Sequence, residues 1–124
     1  MCGIVASIST DCYNKLLESL YQLQNRGYDS AGICTLFNKT FSVHKYASTD
    51  KESAVEKLKQ YSSEMKGHVI GIGHTRWATH GPKTDINSHP HISSDGKFAV
   101  VHNGIIENYT TLKNSLLDKG YKLS

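Results

Sequence analysis

The run Cys2-Gly-Ile-Val-Ala-Ser-Ile8 is apolar and partly β-branched, and it reads as a strand buried on at least one face. Cys2 therefore opens a strand, and later elements must supply its neighbours. Between residues 12 and 24 the leucines Leu16, Leu17, Leu20 and Leu23 fall at i, i+1, i+4 and i+7, which is one stripe of an amphipathic helix. Gly27 stops that helix, and residues 25–30 mix turn formers with charge. Residues 31–37 and 41–46 then read as two strands joined across Asn38-Lys39, a hairpin.

Thr49 and Glu52 have the spacing of a capping box, which predicts a helix from there to about Ser62. After Gly67, residues 68–73 read as a strand whose glycines suit close approach of a neighbouring backbone or ligand. Residues 74–95 form the most polar stretch and read as one long loop, a length that favours a binding or lid segment. Residues 98–102 read as a strand ending in Asn103-Gly104. Ile105, Ile106, Tyr109, Leu112 and Leu116 then mark a helix closed by Gly120, and residues 121–124 resemble the start of another strand.

A chain of 124 residues, 38% hydrophobic and 20% charged, has the size and balance of a single soluble domain with one core. The charge of +3 comes from scattered bases rather than a basic stripe, which argues against nucleic acid as a partner. No apolar run reaches the ~18 residues of a membrane span and no signal peptide opens the chain, so a cytoplasmic protein is expected. Cys2, Cys12 and Cys34 include no Cys-x-x-Cys pair, which speaks against a disulfide framework or a cysteine zinc site.

Position singles out Cys2. A small residue after Met1 allows removal of the methionine, which leaves a thiol and a free α-amino group on one residue. An α-amino group titrates at about 7.7–8.0 and a thiol near about 8.5, so the amine can take the thiol proton directly or through one water. The plainer reading is a buried structural cysteine. Asn103-Gly104 is a strong turn signal, yet an asparagine amide and a glycine N–H at a strand end can also point at one developing oxyanion.

Residues 74–81, His-Thr-Arg-Trp-Ala-Thr-His-Gly, combine a planar cation, an indole, hydroxyls and two imidazoles, the composition of a recognition loop. Arg76 could hold a carboxylate bidentately, or it could form an internal ion pair, for instance with Asp29. His80, His89, His91 and His102 raise a metal site. The helix-borne His-Glu-x-x-His pattern is absent, however, and Pro90 makes the triplet 89–91 extended, with neighbouring rings on opposite sides. Hydrogen bonding within a polar loop is the simpler role.

Together these segments resemble the glutaminase domain of the glutamine–fructose-6-phosphate aminotransferase family, class II amidotransferases among the N-terminal-nucleophile hydrolases. Five motifs occur in the family's order: Met-Cys-Gly-Ile-Val at the start, Asn-Arg-Gly-Tyr-Asp-Ser-Ala-Gly at 25–32, the 74–81 motif, Asn-Ser-His-Pro-His at 87–91, and Val-His-Asn-Gly-Ile-Ile-Glu-Asn at 101–108. The purine-synthesis amidotransferase shares the pattern at 23–32, but Trp77, His80 and the 101–108 motif favour the sugar enzymes. Asparagine synthetase shares little beyond the Met-Cys-Gly-Ile start.

The resemblance implies an α+β fold, the four-layer αββα sandwich, incomplete at its C-terminal end. Residues 1–124 would be the N-terminal part of the glutaminase domain, with the sugar-phosphate isomerase domains absent. It implies Cys2 as nucleophile and base, Asn103 and Gly104 as oxyanion hole, and Arg76 as partner of the α-carboxylate of L-glutamine. Trp77, Thr79 and His80 would belong to the closing loop, and Gly27, with Arg26, to a supporting segment beside the nucleophile. The family's aspartate for the α-amino group has no counterpart in these residues. No cofactor or metal is implied; the partners are L-glutamine and the remainder of the synthase, and a homo-oligomer stays open. The enzyme would make glucosamine 6-phosphate from fructose 6-phosphate and glutamine, with ammonia released through a glutamyl thioester. A non-catalytic remnant that binds a partner, through an apolar sheet face left exposed, is the alternative from another class, and a metal-binding module is the third.

Overall fold

The computed structural model describes residues 2–24, 29–77 and 83–123. In chain order the elements are β1 (Gly3–Ile8), α1 (Cys12–Gln24), β2 (Ser30–Phe37), β3 (Thr40–Ala47), α2 (Ala54–Lys59), β4 (Ile70–Arg76), β5 (His91–Ile92), β6 (Ala99–Val100) and α3 (Tyr109–Asp118). The main sheet has the order β1-β4-β2-β3 and is antiparallel throughout; β5 and β6 form a second, two-stranded sheet. The fold class is α+β, as expected, and no described helix is long and apolar enough to cross a membrane.

Alternation along the strands sorts their side chains. Val5 on β1 and Ala31 and Ile33 on β2 face the helix layer, where they meet Leu16, Leu17 and Leu20 of α1, Val55 and Leu58 of α2, and Met65. Fully burying each leucine stabilises by roughly 1.5–3 kcal/mol, so the leucine stripe of α1 is the main apolar contribution to this face. Tyr13 completes the layer by donating its hydroxyl to the Leu58 carbonyl at 2.6 Å, which ties α1 to α2. Gly71 allows the close helix–sheet approach: a Cβ there would stand 2.7 Å from Leu16 Cδ1.

The hairpin forms across Asn38-Lys39, with φ of 50° and 64°, the left-handed pair a two-residue turn needs to match strand twist. Other boundaries differ from the sequence expectation. Thr49 and Glu52 do not open a helix; the Glu52 N–H donates to Thr49 Oγ1 and the Thr49 N–H to the Glu52 carbonyl, which closes a small turn. Ser53 is the true cap, its hydroxyl accepting from the Glu56 N–H, because Ser53-x-x-Glu56 repeats the same spacing four residues on.

The larger correction concerns β4, which starts at Ile70 and runs to Arg76, into the stretch expected to be loop. Polarity misleads here because β4 is central: ladders to β1 and β2 on both sides use up the backbone groups of His74 and Thr75, each only 1% exposed. The strand expected at 98–102 shrinks to two residues, and α3 begins at Tyr109 rather than Ile105, after a turn closed by the Tyr109 N–H on the Ile106 carbonyl. Residues 121–123 form no strand.

Candidate active site

Register places the chemistry. Gly3 pairs with Thr75, so the residue before β1 meets the residues after β4, and Cys2 lies beside Trp77. The Trp77 N–H donates to Cys2 Sγ at 3.3 Å. From the other side, Asn103 Nδ2 donates to the Cys2 carbonyl at 3.1 Å, and Asn103 Oδ1 lies 2.7 Å from His74 Nε2. These contacts gather Cys2, His74, Arg76, Trp77, Asn103 and Gly104 around a cleft of about 940 Å³, within the size range of small-molecule sites.

The other cysteines are differently placed. Cys12 and Cys34 are buried, and burial raises both thiols, Cys34 to about 11, which keeps them protonated and inert at neutral pH. Cys2 is half-buried and lines the cleft. Gly104 has φ of 138°, a conformation L side chains rarely adopt, and an added Cβ would stand 3.3 Å from His102 Nε2. An alanine there would therefore strain the turn and crowd the His102 ring.

The sheet face away from the helices carries Gly32, His74 and Arg76, and the segment 87–91 packs on it. A Cβ on Gly32 would collide with the His89 carbonyl, so glycine allows that segment to lie flat on the sheet. Arg76 Nη1 donates to the Asn87 carbonyl at 3.3 Å. The cleft lining includes Arg76 and Lys113 but no carboxylate among the described residues, so its field suits an anionic group.

The His74 ring stacks on that of His89, with centroids 4.3 Å apart, and the His91 ring meets His89 edge-on at 4.5 Å. This corrects the expectation of rings on opposite sides: His89 and His91 are two residues apart, and period-2 alternation puts both rings on one side, where they meet edge to face. No described group of three or more His, Cys, Asp or Glu side chains is arranged to hold a metal. Asn87, His89, His91, Tyr109 and Lys113 also line the cleft; the 87–91 motif marks the first three, and no local signal marks Tyr109 or Lys113 as site residues. Gly27, Thr79 and His80, with Arg26, lie outside the described residues.

Burial favours the neutral form of all three rings, and of His89 most strongly. Its pKa falls to about 3, through burial first and then through His74, His91, Arg76 and Lys45. An unfolded histidine titrates near about 6.5, so below that pH the unfolded chain binds a proton the folded chain does not. Stability should therefore be flat above about pH 6.5 and fall as pH drops toward 5, by less than about 1.4 kcal/mol per pH unit for this partly exposed ring. Urea midpoints measured between pH 7.5 and 5 check this, and His89→Gln should flatten the slope. An unchanged slope in the variant would contradict the assignment.

Comparison with known proteins shows where this site belongs. The chain is 50% identical over 122 residues to the glutamine–fructose-6-phosphate aminotransferase of Caldanaerobacter subterraneus, covering 98% of the chain and 19% of that relative. It is 47% identical over 128 residues to the Corynebacterium glutamicum enzyme of the same name, covering 98% of the chain and 20% of the relative. A probable member from Acanthamoeba polyphaga mimivirus is 46% identical over 121 residues, covering 95% of the chain and 20% of the relative. The chain belongs to the glutamine–fructose-6-phosphate aminotransferase family.

Within that family it matches the N-terminal part and spans about a fifth of the curated relatives' length. Among solved structures, the fold matches the allosteric regulatory enzyme of purine biosynthesis with a TM-score of 0.76 at 24% identity, over 100% of this chain and 26% of that one. It also matches the glutamine phosphoribosylpyrophosphate amidotransferase of B. subtilis, with a TM-score of 0.69 at 27% identity over 99% and 26%. The N-terminal-nucleophile hydrolase fold expected from the motifs is thereby shown. No family model matches the chain.

Proposed function

We propose that the cleft is a glutaminase site in which Cys2, freed of Met1, is nucleophile and base. Its α-amino group accepts the thiol proton, and the thiolate attacks the side-chain amide carbon of L-glutamine. The tetrahedral oxyanion is held by the Asn103 amide and the Gly104 N–H. Collapse expels ammonia, which takes its proton from the α-ammonium group. Water then hydrolyses the glutamyl thioester, giving glutamate and the free thiol. The Trp77 N–H stays on the sulfur as charge develops, and Arg76 receives the substrate α-carboxylate as a bidentate partner.

The observation that carries this reading is the meeting of Cys2 Sγ, the Trp77 N–H and the Asn103 amide at one edge of a cleft that contains cations and no described carboxylate. In the whole enzyme the ammonia would pass to fructose 6-phosphate on residues outside this chain, to make glucosamine 6-phosphate. Thr79 and His80 would close over bound glutamine, with Gly27 and Arg26 supporting the nucleophile.

Substrate length tests the proposal. Purified chain should release glutamate from L-glutamine, while L-asparagine, one methylene shorter, should react at least about 10-fold more slowly because its amide stops short of the sulfur when Arg76 holds the carboxylate. Equal rates for the two amides would rule out this arrangement.

A second reading, a partner-binding module, draws on one observation. Helix α3 buries no residue, and Ile105, Ile106, Tyr109 and Leu112 are exposed. The occupant this fits is the remaining four-fifths of a family member, supplied in cis or in trans. As a non-catalytic remnant the chain would bind that partner without hydrolysing glutamine, which separates the two readings.

A further inference from the structure

We infer that His74 is a positioning residue that sets which way the Asn103 amide faces, and so aims its N–H groups at the cleft. This rests on the glutaminase reading above and adds a residue to it. The argument is one of donors and acceptors. The Cys2 carbonyl can only accept, so the group 3.1 Å from it must be the Asn103 NH2. The amide oxygen is then left facing His74 Nε2 at 2.7 Å, and an amide oxygen can also only accept. His74 must therefore carry its proton on Nε2.

Local surroundings fix that tautomer. His74 is 1% exposed, in the central strand β4, with its ring stacked on His89 at 4.3 Å, so the imidazole has little freedom to turn. Burial favours its neutral form, outweighing the opposing pull of the Asn103 side chain and the His102 backbone, and by hydrogen-bond geometry Nδ1 has no partner among the described residues, which leaves the proton on Nε2. Asn103 is exposed and follows an irregular stretch, so its own packing does not choose between its two amide orientations. A flipped amide would set its oxygen, a partial negative charge, against the Cys2 carbonyl and toward the developing oxyanion. With the orientation held, one amide hydrogen serves the Cys2 carbonyl and the other remains for the tetrahedral intermediate.

Substitutions at His74 separate positioning from simple packing. Methionine fills the space without a donor, and glutamine restores an N–H near the position of Nε2. His74→Met should lower kcat for glutamine hydrolysis about 10- to 100-fold with KM within about 2-fold, and His74→Gln should recover activity to within about 5-fold of the parent. In an Asn103→Ala background, His74→Met should cost less than about 3-fold, because the group it acts through is gone. Alkylation of Cys2 by iodoacetamide, a displacement that forms no oxyanion, should proceed at the parent rate in His74→Met. Additive losses in the double variant, failure of glutamine to rescue, or slowed alkylation would each overturn the inference.

Nitrogen-15 NMR of the parent chain decides the hydrogen bond independently of turnover. A neutral His74 protonated on Nε2, with Asn103 NH2 resonances that shift in His74→Gln, supports the inference, and protonation on Nδ1 overturns it. A parent chain that fails to hydrolyse glutamine would count against the glutaminase reading alone, since the tautomer still answers for His74.

Discussion

Cys2→Ala should leave the chain folded and reduce glutamine hydrolysis by about 10⁴-fold or more, the scale expected when a covalent nucleophile is removed. Two facts separate catalysis from stability here. The Cys2 side chain is half-buried, and among the described residues its sulfur hydrogen-bonds to the Trp77 backbone, so truncation to Cβ opens no core cavity, and the urea midpoint should barely move. Cys12 and Cys34 are fully enclosed, so Cys12→Ala and Cys34→Ala should alter stability while the activity per folded molecule persists. Glutamate release and urea midpoints on the three variants give the test. A Cys2→Ala chain that still turns over glutamine would end the account, whatever the other two do.

Asn103→Ala should lower kcat by about 10²- to 10³-fold, or about 2.7–4 kcal/mol of transition-state stabilisation, with little change in KM. The amide acts on charge that exists only after attack, so the bound substrate does not feel its loss. Asn103 is exposed, and its removal takes away two hydrogen bonds, one to the Cys2 carbonyl and one from the buried His74 Nε2, so stability should fall by roughly 1–3 kcal/mol. Asn103→Asp is the sharper variant. It keeps the shape but exchanges the NH2 for a second acceptor, which would face the Cys2 carbonyl and the oxyanion with negative charge. Its kcat should be no higher than that of Asn103→Ala. A parent-like kcat in either variant, measured with iodoacetamide reactivity as the control for Cys2, would remove Asn103 from the oxyanion hole.

Local signals carried much of this architecture. The leucine stripe of α1 and the Asn38-Lys39 turn were legible because each depends on neighbours within a few residues: helical spacing in one case, two left-handed residues in the other. The reach of β4 to Arg76 was not, since polar His74 and Thr75 are held in strand by pairing with β1 and β2, which no local pattern reports. The same limit applies to the site. Cys2, Asn103, Gly104, Arg76 and Trp77 were marked by motif, and the structure brings them to one cleft. The His74 bridge to Asn103 spans 29 positions, and the stacking of His89 on His74 joins two segments whose proximity is set by the bare backbone of Gly32.

The most direct test of the central claim is the mass of the chain before and after reaction with a diazoketone analogue of glutamine. The account predicts that Met1 is already absent, that one equivalent of analogue adds with loss of dinitrogen, and that peptide mapping places it on Cys2. Retained Met1 with no adduct, or an adduct on Cys12 or Cys34, would contradict it.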